Sequence, residues 1–162
     1  AATPIAAAAE TVPAERQMLD HIVESIPQMV NAGTIQWQQT GDDVSYRVRG
    51  TGQTARLSFS ERGGGASELT FGVFPSAEEA LAYYEERLGA LRTLENSESR
   101  DNFPEPNAFG GGTYGSDAIF VEDNVYIRVS VPRFSSTAGD PLGTYSQSVL
   151  EVLAAAVDSF SG

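Results

Sequence analysis

The chain has no cysteine, no lysine and a single histidine. Without cysteine, disulfides and thiolate chemistry are excluded, an absence that is neutral about compartment. One histidine and no cysteine cannot assemble a typical zinc or copper site within one chain. All ten basic residues are arginine. A GC-rich coding bias explains this together with the abundant Ala and Gly; adaptation to high salt is the alternative, for which the acidic content is modest. No apolar run approaches the ~20 residues that a membrane-spanning helix needs.

Charge of one sign is also scarce. Twenty-two acidic residues stand against ten basic ones, a net charge of −12. Such a surface repels phosphate backbones, so nucleic acid and anionic membrane are poor partners. At 162 residues the chain fits one domain, long enough to bury roughly 70% of its unfolded surface. All eight Phe and the only Trp lie beyond residue 30, as expected of a packed core. The opening run Ala1-Ala2-Thr3-Pro4-Ile5-Ala6-Ala7-Ala8-Ala9-Glu10 lacks the basic region of a signal peptide. It reads as a spacer, residues 1–12, of the kind that follows a removed signal or lipid anchor; a cytoplasmic tail is the alternative. Residues 13–162 read as the single domain.

From Pro13 to Val30, Met18, Leu19, Ile22, Val23, Ile26, Met29 and Val30 recur at helical spacing. Pro13 suits the first turn and Gly33 the stop, while Pro27 should kink or shorten the end. Four candidate strands follow, around Ile35/Trp37, Val44/Tyr46/Val48, Ala55/Leu57/Phe59 and Leu69/Phe71/Val73, each with period two. Their links, such as Gly50-Thr51-Gly52-Gln53 and Arg62-Gly63-Gly64-Gly65, are too short for crossover helices, so the strands should be antiparallel. Pro75-Ser76-Ala77-Glu78-Glu79 is a capping box, in which each side chain can satisfy the other residue's backbone donor. It opens a helix with Ala77, Ala80, Leu81, Tyr84, Leu88 and Leu91 on one face. Residues 92–117 lack periodicity, predicting a mobile functional loop unless a short strand lies near Phe103. A hairpin closed by Glu122-Asp123-Asn124 and a helix over about 143–159 complete the chain. The expected fold is α+β: an antiparallel sheet of about six strands, order α-β-β-β-β-α-β-β-α, with three helices packed on one face.

Gly110-Gly111-Gly112-Thr113-Tyr114-Gly115 matches G-x-G-x-x-G. A dinucleotide loop must follow a strand and open a helix, and here a strand follows. The kinase form needs a lysine that this chain does not have. His21 lies opposite the apolar arc of the first helix, beside Asp20, and reads as a solvated residue. No serine carries a G-x-S-x-G elbow. The paired acids Asp42-Asp43, Glu78-Glu79, Glu85-Glu86 and Glu122-Asp123 read as solvating pairs, because neighbours on a strand point apart. No D-x-D-x-D-G calcium loop is present. No catalytic residue, metal ligand or cofactor is therefore expected, although calcium at Glu122-Asp123-Asn124 merits a titration.

Arginine placement is more informative. If Tyr46, Val48, Leu57 and Ile127 face the helices, Arg47, Arg49, Arg56 and Arg128 share the other face. The Gly50–Gln53 turn should set Arg47 across from Arg56. Like charges so placed cost stability unless acids or a bound anion intervene. Glu68 could supply one partner, and Tyr126 and Thr70 add aromatic and hydrogen-bonding character. An ordinary solvated face with local ion pairs is one reading. A docking face for an acidic partner or small anion is the other. The candidate binding residues are Arg47, Arg49, Arg56, Arg128, Tyr126 and Tyr114, with Tyr83 and Trp37 as further positions of interest.

The run Ser76-Ala77-Glu78-Glu79-Ala80-Leu81-Ala82-Tyr83-Tyr84, then Tyr114-Gly115-Ser116-Asp117-Ala118-Ile119-Phe120 and Tyr126-Ile127-Arg128-Val129, resembles bacterial extracytoplasmic, often lipoprotein-borne, domains of unknown function. The likeness covers about residues 66–132. It implies export and an accessory or sensing role, and it transfers no catalytic residue. The expectation is a non-enzymatic extracytoplasmic accessory or binding domain. It would dock another protein of an envelope or membrane assembly through the open sheet face, the 92–117 loop, or both. Alternatives are a small-ligand sensor with a loop-gated pocket and a carboxylate-dependent hydrolase.

Overall fold

A computed structural model describes residues 13–31, 37–61, 66–112, 115–132 and 141–160. The elements are α1 (Ala14–Asn31), β1 (Trp37–Arg49), β2 (Gly52–Glu61), β3 (Ala66–Val73), α2 (Ala77–Ala90), β4 (Asn107–Gly111), β5 (Gly115–Glu122), β6 (Val125–Pro132) and α3 (Pro141–Ser159). A 3-10 turn at Arg92–Leu94 follows α2. The six strands form one antiparallel sheet in the order β1-β2-β3-β6-β5-β4. Two three-strand meanders thus meet at the central β3–β6 pair.

The α+β class, three helices and six strands stand as expected, but the order is α-β-β-β-α-β-β-β-α, with one strand fewer before the middle helix and one more after it. The Val44 strand and the segment from Trp37 are two arms of β1, separated by a register irregularity between Gln39 and Val44. The sixth strand is β4, inside the segment read as a loop. The 92–117 segment is otherwise pinned by Asn107. Its amide oxygen accepts from the Arg100 backbone N–H at 2.8 Å, and its amide nitrogen donates to the carbonyls of Arg100 at 2.9 Å and Pro104 at 3.0 Å. A Glu98–Phe109 bridge adds backbone pairing. The glycine run closes β4 with Gly110 and Gly111, and Gly112 N–H donates to Gly115 O at the start of β5 at 2.8 Å. A side chain at Gly110 would collide with the Thr93 carbonyl, so this glycine lets the 3-10 turn lie on the strand.

Alternation sorts the sheet into two faces. Leu57, Leu69, Val129, Ala118 and Phe109 pair in one row across five strands, and Ala55, Phe71, Ile127 and Phe120 in the next. Both rows are buried under α1 and α3, chiefly against Leu19, Ile22, Tyr145, Val149 and Val152. Burying a Leu or Phe side chain contributes about 1.5–3 kcal/mol, so this layer supplies most of the driving force.

The expectation of three helices on one face holds for two of them. α2 lies on the opposite face, where Ala80 and Tyr84 pack with Phe74, Ile119, Val121 and Tyr126. The reason is in the strand residues. On β5 and β6, Ile119, Val121 and Tyr126 make the second face apolar as well, and α2 with Leu94 of the 3-10 turn covers it. β1 and β2 carry arginines there instead, so that half stays open.

α1 runs through Pro27 to Asn31, since a proline in the last turns removes a single backbone bond. Ser76 Oγ accepts from Glu79 N–H at 3.2 Å and so caps α2. The reciprocal half of the box is not made: the Glu79 carboxylate accepts from Thr51 Oγ at 2.7 Å and from Ser76 Oγ at 3.4 Å. The Thr51 bond ties α2 to the β1–β2 turn, in which Gly50 takes φ +60°.

His21 is half-buried and lies against the end of α3, not in open solvent. Its Nε2 is 2.8 Å from Ser159 Oγ, and its ring lies 5.6 Å from that of Phe160. The expected spacer at 1–12, Ile35 and the 62–65 turn lie outside the described residues.

Candidate functional site

The face that carries α2 holds a second set of cross-strand rows. Arg56, Thr70 and Arg128 are consecutive partners on β2, β3 and β6. Arg47, Thr54, Gly72 and Tyr126 form the adjacent row. Arg49 follows two residues beyond Arg47. The two-residue turn Gly50–Thr51 sets Arg47 opposite Thr54 and Arg56 opposite Ser45, so Arg47 and Arg56 are diagonal, not direct, neighbours. That relieves some of the expected repulsion, because diagonal pairs are further apart than direct ones.

These side chains and α2 line an open pocket of about 140 Å³. Five of the ten arginines line it: Arg47, Arg49, Arg56 and Arg128 from the sheet and Arg87 from α2. Thr54, Thr70, Tyr83 and Tyr126 complete the wall. The structure therefore brings Arg47, Arg49, Arg56, Arg128 and Tyr126 together; Tyr114 lies outside the described residues. Arg87 and Tyr83 join them because α2 crosses to this side.

The charges are not balanced locally. Arg128 Nε donates to Asp117 Oδ1 at 2.9 Å, and Thr93 Oγ donates to Asp117 Oδ2 at 2.6 Å. Asp117, rather than Glu68, is thus the partner of Arg128. Burial works against the Arg128 charge, yet the Asp117 carboxylate holds its pKa above the ordinary value. Arg47, Arg49, Arg56 and Arg87 have no ion-pair partner among the described residues.

Tyr126 forms the floor. It is 1% exposed, and its ring meets the Tyr83 ring edge-on at 4.9 Å. Its hydroxyl is buried without a hydrogen-bond partner among the described residues. Burial raises its pKa well above the ordinary phenol value, with the nearby Tyr83 adding to the shift, so the hydroxyl keeps its proton. Buried polar groups are nearly always paired, and an orphan beside several guanidiniums is a feature that calls for a physical reason.

Beside the pocket, sharing Arg49 and Tyr83 with it, a shallower groove of about 470 Å³ runs between the β1–β2 turn and α2. Val48, 67% exposed, and Phe74 give it apolar surface, with Glu79 and Glu86 at its edge. The 92–117 segment borders a different groove, with Asn96, Arg100, Phe109 and Leu142, and does not line the arginine pocket.

Of the paired acids, Glu78, Glu85, Glu86, Glu122 and Asp123 are exposed, while Glu79 is engaged by Thr51 and Ser76. The side chains of Asp42 and Asp43 lie outside the described residues. Among the described residues no group of three or more His, Asp or Glu is arranged to hold a metal. Asn124 has a structural role, its amide nitrogen donating to Phe74 O at 2.8 Å.

No family model matches the chain, and no curated protein does so either. Among solved structures, the fold is similar to that of the extracellular domain of PknH from Mycobacterium tuberculosis. The TM-score is 0.54 at 13% identity, over 92% of this chain and 99% of that one, a likeness of fold alone.

Proposed function

We propose that this chain is a non-enzymatic extracytoplasmic binding domain whose contact site is the arginine pocket on the α2 side of the sheet, where it takes an acidic group of its partner. The observation that carries the reading is the gathering of five arginines, four of them without an acid partner among the described residues, in a chain with only ten basic residues. Like charges on one sheet face destabilise the fold, so their clustering is best accounted for by a bound negative group. Arginine suits that role because its planar fork pairs with oxyanions in two-point contacts. The setting, an accessory domain of an envelope or membrane assembly, draws on the likeness of fold to an extracellular domain.

The test replaces Arg47, Arg49 and Arg56 together by Ser and measures binding of an acidic peptide and of citrate by calorimetry. Arg128 is left in place because its loss would orphan the buried Asp117. Binding by the native chain, lost in the triple variant with thermal stability nearly unchanged, supports the reading. Equal binding by both, or binding of no anion at all by the native chain, overturns it.

A further inference from the structure

The pocket is more specific than a basic patch, and its donors come from several directions. Arg56 and Arg128 rise from one sheet row on either side of Thr70, Arg47 and Tyr126 stand at the two ends of the next row, and Arg87 lines the pocket from the helix. A carboxylate has two coplanar oxygens and is satisfied by one guanidinium fork. A phosphate group has three terminal oxygens and a charge of about −1.5 to −2 near neutral pH, and so accepts donors from several sides at once. Four arginines without an acid partner among the described residues suit a group with more than one unit of negative charge.

Resting on the acidic-partner reading above, we infer that the pocket is a receptor for a single phosphate group, either free phosphate or the terminal monoester of a small molecule, with Tyr126 Oη as its buried neutral donor. The orphan hydroxyl is the independent observation: Tyr126 lines the pocket, its hydroxyl is buried without an acceptor among the described residues, and a phosphate oxygen bound there supplies one. Size agrees. About 140 Å³ is far below the roughly 300–1,000 Å³ of pockets for drug-sized ligands and close to the ~150 Å³ cavity that holds benzene, so one compact group fits. An ester substituent has an exit into the groove reached past Arg49 and Tyr83. The net charge of −12 selects against long polyanions, which would meet acidic surface beyond the pocket.

The experiment is calorimetry and thermal unfolding of the chain in phosphate-free buffer, titrated with inorganic phosphate, glucose 1-phosphate, acetate and citrate at matched ionic strength. Saturable binding of phosphate or the monoester, with acetate inert, is expected. Tyr126→Phe should weaken it about tenfold, as loss of a hydrogen bond to a charged group does. Affinity should rise from pH 5.5 to 7.5 as the phosphate loses its second proton, since the arginines stay charged throughout. Arg92→Ser, an exposed arginine outside the pocket, serves as the control and should leave binding unchanged. Tighter binding of the monoester identifies a phosphorylated small molecule as the ligand, and tighter binding of inorganic phosphate identifies the free ion. No saturable phosphate binding at millimolar concentration, acetate matching phosphate, or native affinity in Tyr126→Phe would each overturn the inference. If citrate or the acidic peptide still binds, and loses binding in the triple arginine variant, only the phosphate assignment falls. If nothing binds, both readings fall.

Discussion

Asp117 on β5 receives Arg128 Nε from β6 at one carboxylate oxygen and Thr93 Oγ from the 3-10 turn at the other, at 2.9 and 2.6 Å. One buried acid therefore anchors the pocket's innermost arginine and the segment that follows α2. Asp117→Ala should leave Arg128 without its acid and cost about 2–3 kcal/mol, the low side for a buried pair because Arg128 keeps a quarter of its side chain exposed. The chain's melting temperature should fall by roughly 5–10 °C. A loss of under ~0.5 kcal/mol in urea unfolding would contradict this account of the pair.

Tyr126→Phe has the opposite sign in the unliganded protein. Its hydroxyl is desolvated without a hydrogen-bond partner among the described residues, so removing it should leave stability unchanged or raise it by about 1 kcal/mol. Urea midpoints of the two proteins compare this directly.

Alkaline pH supplies a second measurement. Burial raises the phenol pKa of Tyr126 and of Tyr84, and also of Tyr46, where Asp20 adds to it. A folded pKa above the unfolded value means stability that is full below the unfolded pKa, about 10, and lost as pH rises toward the folded one. Unfolding free energy should thus be flat from pH 8 to about 9.5 and fall above pH ~10. The fall should be shallower in Tyr126→Phe.

Asn107→Ala should release the 100–106 segment, because one amide supplies bonds to the backbone of Arg100 and Pro104. Each lost bond costs about 1 kcal/mol, so a loss of about 2–4 kcal/mol is expected. Faster proteolysis and amide exchange should be confined first to residues 98–106. Uniform loosening of the whole chain would show instead that the segment is not held locally.

Replacing Arg47, Arg49 and Arg56 by Ser should slightly stabilise the unliganded fold at low ionic strength, by a few tenths of a kcal/mol per residue. The gain should vanish as salt shortens the Debye length to a few ångströms near 1 M. Destabilisation at low salt would mean that these side chains hold the fold together.

Much of this was readable in the sequence because it is local. Period-two alternation decides which residues share a sheet face, so Arg47, Arg49, Arg56, Thr70 and Arg128 could be grouped without any tertiary information. The Ser76 cap and the helical spacing of Ala80, Tyr84 and Leu88 likewise belong to neighbouring residues. β4 escaped because Asn107-Ala108-Phe109-Gly110-Gly111 is short and ends in glycines, so its pairing with β5 leaves no alternation to read. Tertiary structure alone decided that α2 crosses to the second face, which brought Arg87 and Tyr83 to the arginines and closed a face into a pocket. It alone chose Asp117 over Glu68 as the partner of Arg128 and left the Tyr126 hydroxyl without a partner among the described residues. Those outcomes depend on contacts between residues far apart in the chain, where packing of apolar rows fixes the neighbours and no sequence period records them.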